Sequence, residues 1–372
     1  SLKDSVPDKP KGKRPVRKTL PKDLPRESVL HDIADPDKIC NTCDHDLHKI
    51  GEDIREELVY VPAVIKVREH VHPKYGCRHC ERHGAEVSIV QQKAPFSLFA
   101  KSFVTPSLLA HIMISKYQYA LPLYRQSTWF NEHGIDLSRQ SMSLWIIKYT
   151  PLLALVYERL KYYLLKQAVI QADETPLKVI LVDKSTCYMW LYCTGADSPN
   201  INTTDIPNIV VYDFQTSRSG KHAQEFLSGY KGYLQVDGYQ GYSSTSASLV
   251  GCWAHTRRKF KEAQAVLSVK QEDSKIAWAL KHIQKLYRIE KQIKELSPSD
   301  KQAYREEYAK PLLDEYKQWL DNTILQVLPK SALGKAIAYS IRQWPNLVKY
   351  IDDGRLAIDN NRSERAIKTF VI

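Results

Sequence analysis

"QAVIQADETPLKVIL", residues 167–181, decides how the C-terminal half of this 372-residue chain is read. Ala168 to Ala172 form a short, mostly apolar run that contains Val169 and Ile170, and Asp173 ends it. Such a run reads as a buried strand. Similar runs recur downstream in "CYMWLYCTG" (187–195), "NIVVYDF" (208–214), "GYLQVDGY" (232–239) and "SLVGCWAH" (248–255), with "KHAQEFLSG" (221–229) between them as a helix. Strands interrupted by a helix predict an α/β sheet domain.

From about 256 to 350 apolar residues recur at three- and four-residue steps, as in "SKIAWALKHIQKLYRIEKQIKEL" (274–296) and "SALGKAIAYSIRQW" (331–344). That is the helical period. The domain at 167–372 is therefore predicted to carry a helical insertion at about 262–350. A last helix follows in "DGRLAIDNNRSERAIK" (353–368), where Asp359, Asn360 and Asn361 are good N-caps. It places Glu364 in its first turn, among Arg362, Arg365 and Lys368.

Upstream, residues 96–166 read as helical. Gly134 breaks the pattern and Ser138 caps the next helix, a helix-turn-helix spacing in which Arg139 and Gln140 are candidate DNA-binding residues. Residues 27–95 read as a small β-rich module. Residues 1–26 hold nine Lys/Arg against three Asp, half of the formal net charge of +12, in a Pro-rich and apolar-poor stretch. That composition predicts a disordered basic tail. Lys11, Lys13, Arg14, Arg17 and Lys18 are its candidate contacts to a polyanion, nucleic acid first. No apolar run is long enough for a membrane span, and no secretory signal is visible. The expected location is cytoplasmic.

Four of the seven cysteines form two C-x-x-C pairs, Cys40/Cys43 and Cys77/Cys80, separated by 33 residues. Each knuckle offers two sulfurs from one tight turn. Together they fit one tetrahedral structural Zn²⁺ with Zn–S distances of ~2.3 Å. His45, His48, His79 and His83 stand nearby as possible substitutes.

Asp237 ends a second apolar run, just before Gly238. Two aspartates ending two core strands can lie side by side at one edge of a sheet. Like charges so placed are costly unless a cation joins them. Mg²⁺ or Mn²⁺ suits carboxylate oxygens, and two ions can clamp the attacking and leaving oxygens of a phosphoryl displacement. Glu364 has the chemistry to complete such a site. Glu174, Asp183, Asp205 and Asp213 are competing acids, and Asp213, after "IVVY", is the strongest of them.

Taken together, "QADETPLKV", "YLQVDGYQGY", "GCWAHTRRKF" and "IDNNRSERAIK" resemble the insertion sequence 66 family of bacterial transposases. "TLPKDLPRESVLHDI", the cysteine knuckles, "LPLYRQSTWF" and "SALGKAIAYSIRQWP" fit in the same order. The resemblance implies an RNase H-like core with an Asp-Asp-Glu triad at Asp173, Asp237 and Glu364, holding two Mg²⁺ or Mn²⁺ ions. It makes Cys252 and His255 a C-x-x-H signature, with His255, Arg257, Arg258 and Arg365 supporting the acids or positioning DNA. The implied activity is cleavage at transposon ends and strand transfer into target DNA. The implied partners are terminal inverted repeats, target DNA, further copies of the chain and accessory proteins of the same element. A zinc-dependent DNA-binding protein without catalysis is the alternative. Against the family pattern, the chain is read as lacking the N-terminal coiled coil and the C-terminal end, and Asp44 replaces a glycine after the first knuckle.

Overall fold

A mixed five-stranded sheet organises the C-terminal half: β1 Val169–Lys178, β2 Thr186–Thr194, β3 Val210–Gln215, β4 Tyr233–Gln235 and β5 Ser248–Val250. Their spatial order is β3-β2-β1-β4-β5. β1 pairs antiparallel with β2, and β2 with β3, while β4 runs parallel to both β1 and β5. The computed structural model describes Ser28 and residues 65–75, 82–83, 90–92, 102–179, 186–195, 208–266 and 274–371, with side chains through Lys368. Cys40, Cys43, Cys77 and Cys80, the tail cations Lys11, Lys13, Arg14, Arg17 and Lys18, and the rival acids Asp183 and Asp205 lie outside the described residues.

The chain divides into two units, residues 1–96 and 97–372. In the first, the described residues include one short antiparallel ladder, Lys74–Tyr75 with Val90–Gln91. In the second, the helices α1 Pro106–Tyr117, α2 Leu123–Glu132 and α3 Arg139–Tyr149 come first, and a fourth helix follows them before the sheet. The chain turns at Gly134 with φ +76°, a left-handed conformation that favours glycine. Ser138 Oγ then caps α3 by accepting the Ser141 N–H at 3.1 Å. Leu109, Ile112, Phe130, Met142 and Ile146 are buried among these helices.

One correction to the sequence reading concerns β1. Asp173 does not end the strand. It lies mid-strand, because β2 pairs with β1 as far as Lys178, whereas the parallel ladder with β4 stops at Gln171↔Gln235. Apolar content falls after Ala172 because β4 no longer flanks β1 there, leaving it at the edge of the antiparallel strands β1, β2 and β3, exposed toward its tip.

Each face of the sheet is covered differently. Ile170, Ala172, Trp190, Tyr192, Val211 and Leu234 pack with Leu164 of α4 (Ala154–Leu165) and Phe226 of α5 (Gly220–Phe226). Leu191 and Cys193 pack on Ile367 of α11 (Asn361–Val371), and the Tyr212 hydroxyl donates to the Ala366 carbonyl at 2.9 Å. Between β5 and α11 comes the helical insertion: α6 Trp253–Ala265, α7 Lys275–Gln292, α8 Pro298–Tyr304, a π-helical turn Arg305–Ala309, α9 Lys310–Ile324 and α10 Ala332–Leu347. Ile276, Ala279, Ile283, Leu286 and Ile289 of α7 follow the helical period and bury against Trp253, Phe260, Leu313, Tyr316 and Ile337. Ser274, Ser297 and Ser331 cap α7, α8 and α10.

Candidate active site

Strand register decides which acids share a face. Side chains alternate along a strand, and residues opposite one another across a sheet point the same way. Asp173 is in register with Leu191, and Leu191 with Tyr212. Leu191 and Tyr212 touch α11, so Asp173 belongs to the face that carries Glu364. Glu174 is in register with Trp190, and Trp190 with Asp213. Those two acids share the opposite face, where Trp190 is buried beside Tyr242. Glu174 is held there by the Tyr242 hydroxyl at 2.6 Å and by Arg218. Asp213 accepts from Gln215 Nε2 at 2.9 Å.

Asp237 follows β4 in a turn. Its Oδ1 accepts the Tyr239 N–H at 2.8 Å, and its carbonyl accepts the Tyr339 hydroxyl of α10 at 2.6 Å. Gly238 has φ +111°, and a Cβ there would meet Gln343 Cδ at 2.9 Å, so the turn requires glycine. Glu364, in the first turn of α11, takes contacts from α6. Arg258 Nη2 lies 3.3 Å from Oε2, and His255 Nε2 lies 3.5 Å from Oε1. Burial lowers the His255 pKa against the opposing pull of Asp237 and Glu364, so the ring is neutral at pH 7. Cys252 is buried, its thiol pushed up to about 12 by burial. Its sulfur accepts the Asn360 N–H at 3.5 Å, which ties the start of α6 to the start of α11.

The acids feel one another. Asp173 is pushed up to about 7, first by burial and then by Glu174, Asp237 and Glu364. Glu174 acts through the strand from the opposite face, whereas Asp237 and Glu364 with Asp173 are a donor set of the kind that a hard divalent cation relieves. The side chains are nevertheless not drawn into a closed cage. Among the described residues, no group of three or more His, Cys, Asp or Glu is placed to hold a metal ion. Glu364 leans instead to Arg258 and His255.

A pH dependence follows. Asp173 releases its proton near 3.8 when unfolded and near about 7 when folded. The folded state thus holds more protons between these values, and stability falls as pH rises through that window. At roughly 1.4 kcal/mol per pKa unit, the loss amounts to a few kcal/mol. Urea titrations of the metal-free chain should show this decline, and Asp173→Asn should flatten it. Identical pH profiles for the two proteins would contradict the burial argument.

Arg257 lies on the outer side of α6, where it lines a concavity of about 270 Å³ with Gln284, Tyr287, Arg288 and Lys291. The Tyr287 hydroxyl donates to Asp359 Oδ2 at 2.9 Å, which links this concavity to the start of α11. Arg365 is exposed on α11, and Arg139 and Gln140 are exposed at the start of α3. Sequence reasoning passed over two buried residues of the site, Gln171 and Gln235. Their signal is a repeated Gln-x-Asp, in "QAD" and "QVD".

Comparisons with known proteins agree over nearly the whole chain. Residues 101–372 match the model described as "Transposase IS66 family", and residues 37–81, which contain all four paired cysteines, match "zinc-finger binding domain of transposase IS66". Uncharacterized protein y4jD of Sinorhizobium fredii is 33% identical over 366 residues, covering 95% of this chain and 69% of that protein. Uncharacterized protein y4hP of the same organism is 33% identical over 378 residues, covering 97% and 66%. The chain thus spans about two thirds of the length of these relatives.

Proposed function

The chain belongs to the transposase IS66 family, and from that premise we propose that it cuts DNA at the ends of a mobile element and joins them to target DNA, with Asp173, Asp237 and Glu364 as the catalytic acids. The observation that carries this reading is the register: it sets Asp173 on the face covered by the Glu364 helix and turns Asp213 and Glu174 away. The strand order β3-β2-β1-β4-β5, with a helical insertion before the last acid, supports an RNase H-like core. Two Mg²⁺ or Mn²⁺ ions held by the three acids would supply Lewis-acid stabilisation of charge building on the phosphate. His255 and Arg258 hold the Glu364 carboxylate, and the half-exposed Arg258 guanidinium is free on its outer side to meet a phosphate. No side chain is required to bond covalently to DNA.

DNA would be held by several parts. The module at 27–95 carries one Zn²⁺ on Cys40, Cys43, Cys77 and Cys80. The helices of 96–166 present Arg139 and Gln140, and the tail at 1–26 adds phosphate contacts. The sheet domain with its insertion, 167–372, performs the chemistry. Further copies of the chain and accessory proteins complete the assembly. Among the described residues no helix is long and apolar enough to cross a membrane.

Metal analysis of the purified chain should give one zinc per chain, and Cys77→Ser should release it; a zinc-free chain with four reactive thiols would contradict the module. Arg257, Arg288 and Lys291 form no ion pair among the described residues, so Ala at all three should cut the log–log salt slope of DNA binding by about 3, at roughly 0.9 per phosphate contact. An unchanged slope would remove this groove from the DNA path. The decisive test is incubation with DNA carrying the terminal inverted repeats: cleavage and joining with Mg²⁺ or Mn²⁺, neither with chelator. The open arrangement of the three acids favours one second reading, a zinc-dependent DNA-binding protein without catalysis. It predicts specific binding without cleavage in either cation.

A further inference from the structure

Two glutamines are buried where the strands are otherwise apolar. Gln171 is 1% exposed, between Ile170 and Ala172 on β1, and Gln235 is 0% exposed at the end of β4, between the buried Leu234 and Val236. Burying an amide is costly unless its groups are bonded, so an apolar residue is the default for such positions. The two face each other in the last register pair of the parallel ladder. Each precedes an acid by two residues, so Gln171 lies on the same side of β1 as Asp173, and Gln235 ends β4 just before the turn that carries Asp237. Gln171 precedes Asp173, and Gln235 precedes Asp237.

Their amides reach across to the segment that delivers Glu364. Gln235 Nε2 donates to the Ala357 carbonyl at 2.6 Å, and its Oε1 accepts the Ala357 N–H at 3.2 Å. This two-point pairing is what a neighbouring strand would make. Gln171 Oε1 accepts the Ser363 N–H at 3.3 Å, one residue before Glu364. Gln171 Nε2 is shared between Gln235 Oε1 at 3.3 Å, the Gly195 carbonyl at 3.2 Å and the Asp359 carbonyl at 3.5 Å. The same segment is also held by Trp253 N–H on the Ile358 carbonyl and by Cys252 on Asn360, but those bonds lead to α6. The glutamine bonds lead instead to β1, which bears Asp173, and to β4, which Asp237 follows.

We propose that Gln171 and Gln235 are positioning residues that set where Glu364 stands relative to Asp173 and Asp237, and through that the affinity of the three acids for a divalent cation. The inference rests on the proposed metal site. Physically, the glutamate arrives on a chain segment more than 100 residues downstream of Gln235. Among the described residues no β-ladder joins residues 357–363 to the sheet, so side-chain amides fix the register that a ladder would otherwise fix. Groups that orient metal ligands typically change affinity by about 10–100-fold when removed.

Methionine matches glutamine in length and shape without its hydrogen bonds, so the test uses the zinc-loaded full chain as Gln171→Met and Gln235→Met. Leu286→Ala, in the helical layer, serves as a variant destabilised elsewhere, and Asp173→Asn defines the acid-dependent part of the binding. Amide hydrogen exchange of the peptide spanning 355–368 and Mn²⁺ affinity by paramagnetic resonance are read together. Both glutamine variants should exchange faster at Ala357 and Ser363 and bind Mn²⁺ about 10-fold more weakly, while Leu286→Ala keeps the parent affinity. Unchanged exchange would overturn the clamp. Faster exchange with an affinity no lower than that of Leu286→Ala would overturn the positioning role and leave a purely structural one. A parent chain without Mn²⁺ binding that is lost in Asp173→Asn would overturn the metal site itself, and that failure is visible before either glutamine is changed.

Discussion

Asp173→Asn, Asp237→Asn and Glu364→Gln chains should each bind terminal-repeat DNA within about twofold of the parent and cut it on the order of 10³-fold more slowly or worse. Each substitution keeps the side-chain shape and removes one negative charge, so folding is spared. Asp173→Asn even relieves a carboxyl crowded by Glu174, Asp237 and Glu364. The double variants should be no slower than the singles, since ligands of one cation act as a unit. Asp213→Asn is the matched control, on the face turned away from α11, and should cut at the parent rate. Gel assays of cleavage and joining with Mg²⁺ and with Mn²⁺, beside binding isotherms, decide the matter. If Asp213→Asn is dead and Glu364→Gln is active, the third acid has been misassigned. If the parent itself binds ends yet cuts in neither cation, the chain is a DNA-binding protein without catalysis.

How far these residues could be read from the sequence depends on whether their setting is local. The strands around Asp173 and Asp237 follow from short apolar runs, and the Glu364 helix follows from its caps, because both signals lie within a few residues. The extent of β1 does not. Its apolar run stops at Ala172, while the strand continues to Lys178 because β2 supplies a partner. Which acids share a face is likewise set by pairing with β2 and β3, so the apolar run before Asp213 does not reveal that the register Trp190↔Asp213 puts it on the face away from α11. Nothing local marks Gln171 and Gln235, since their partners Ser363 and Ala357 lie 192 and 122 residues away. The cysteine knuckles were legible from spacing alone, and the stretch that holds them matches a zinc-finger model.

Arg305→Met should destabilise the chain by roughly 3–5 kcal/mol, the usual cost of leaving one member of a buried ion pair alone. Arg305 is 2% exposed and begins the π-helical turn between α8 and α9. Its guanidinium uses all five N–H donors. Two go to Glu290 of α7, at 2.9 and 2.7 Å, and the others to the carbonyls of Tyr350 at 2.7 Å, Asp353 at 3.1 Å and Leu356 at 2.9 Å. One side chain thus joins the insertion to the turn that leads into the Glu364 segment. Lysine could not replace it, having three donors on a point charge rather than a planar fork. The Glu290→Met/Arg305→Met double variant separates the two roles. If only the charge pair matters, the double should recover nearly all of the lost stability. Because three carbonyls also lose their donor, we expect partial recovery, with faster amide exchange across 350–356 in both the single and the double variant. Urea unfolding measures the first quantity and exchange mass spectrometry the second. Full recovery with parent-like exchange would mean that the turn holds itself, and that Arg305 serves only to neutralise Glu290.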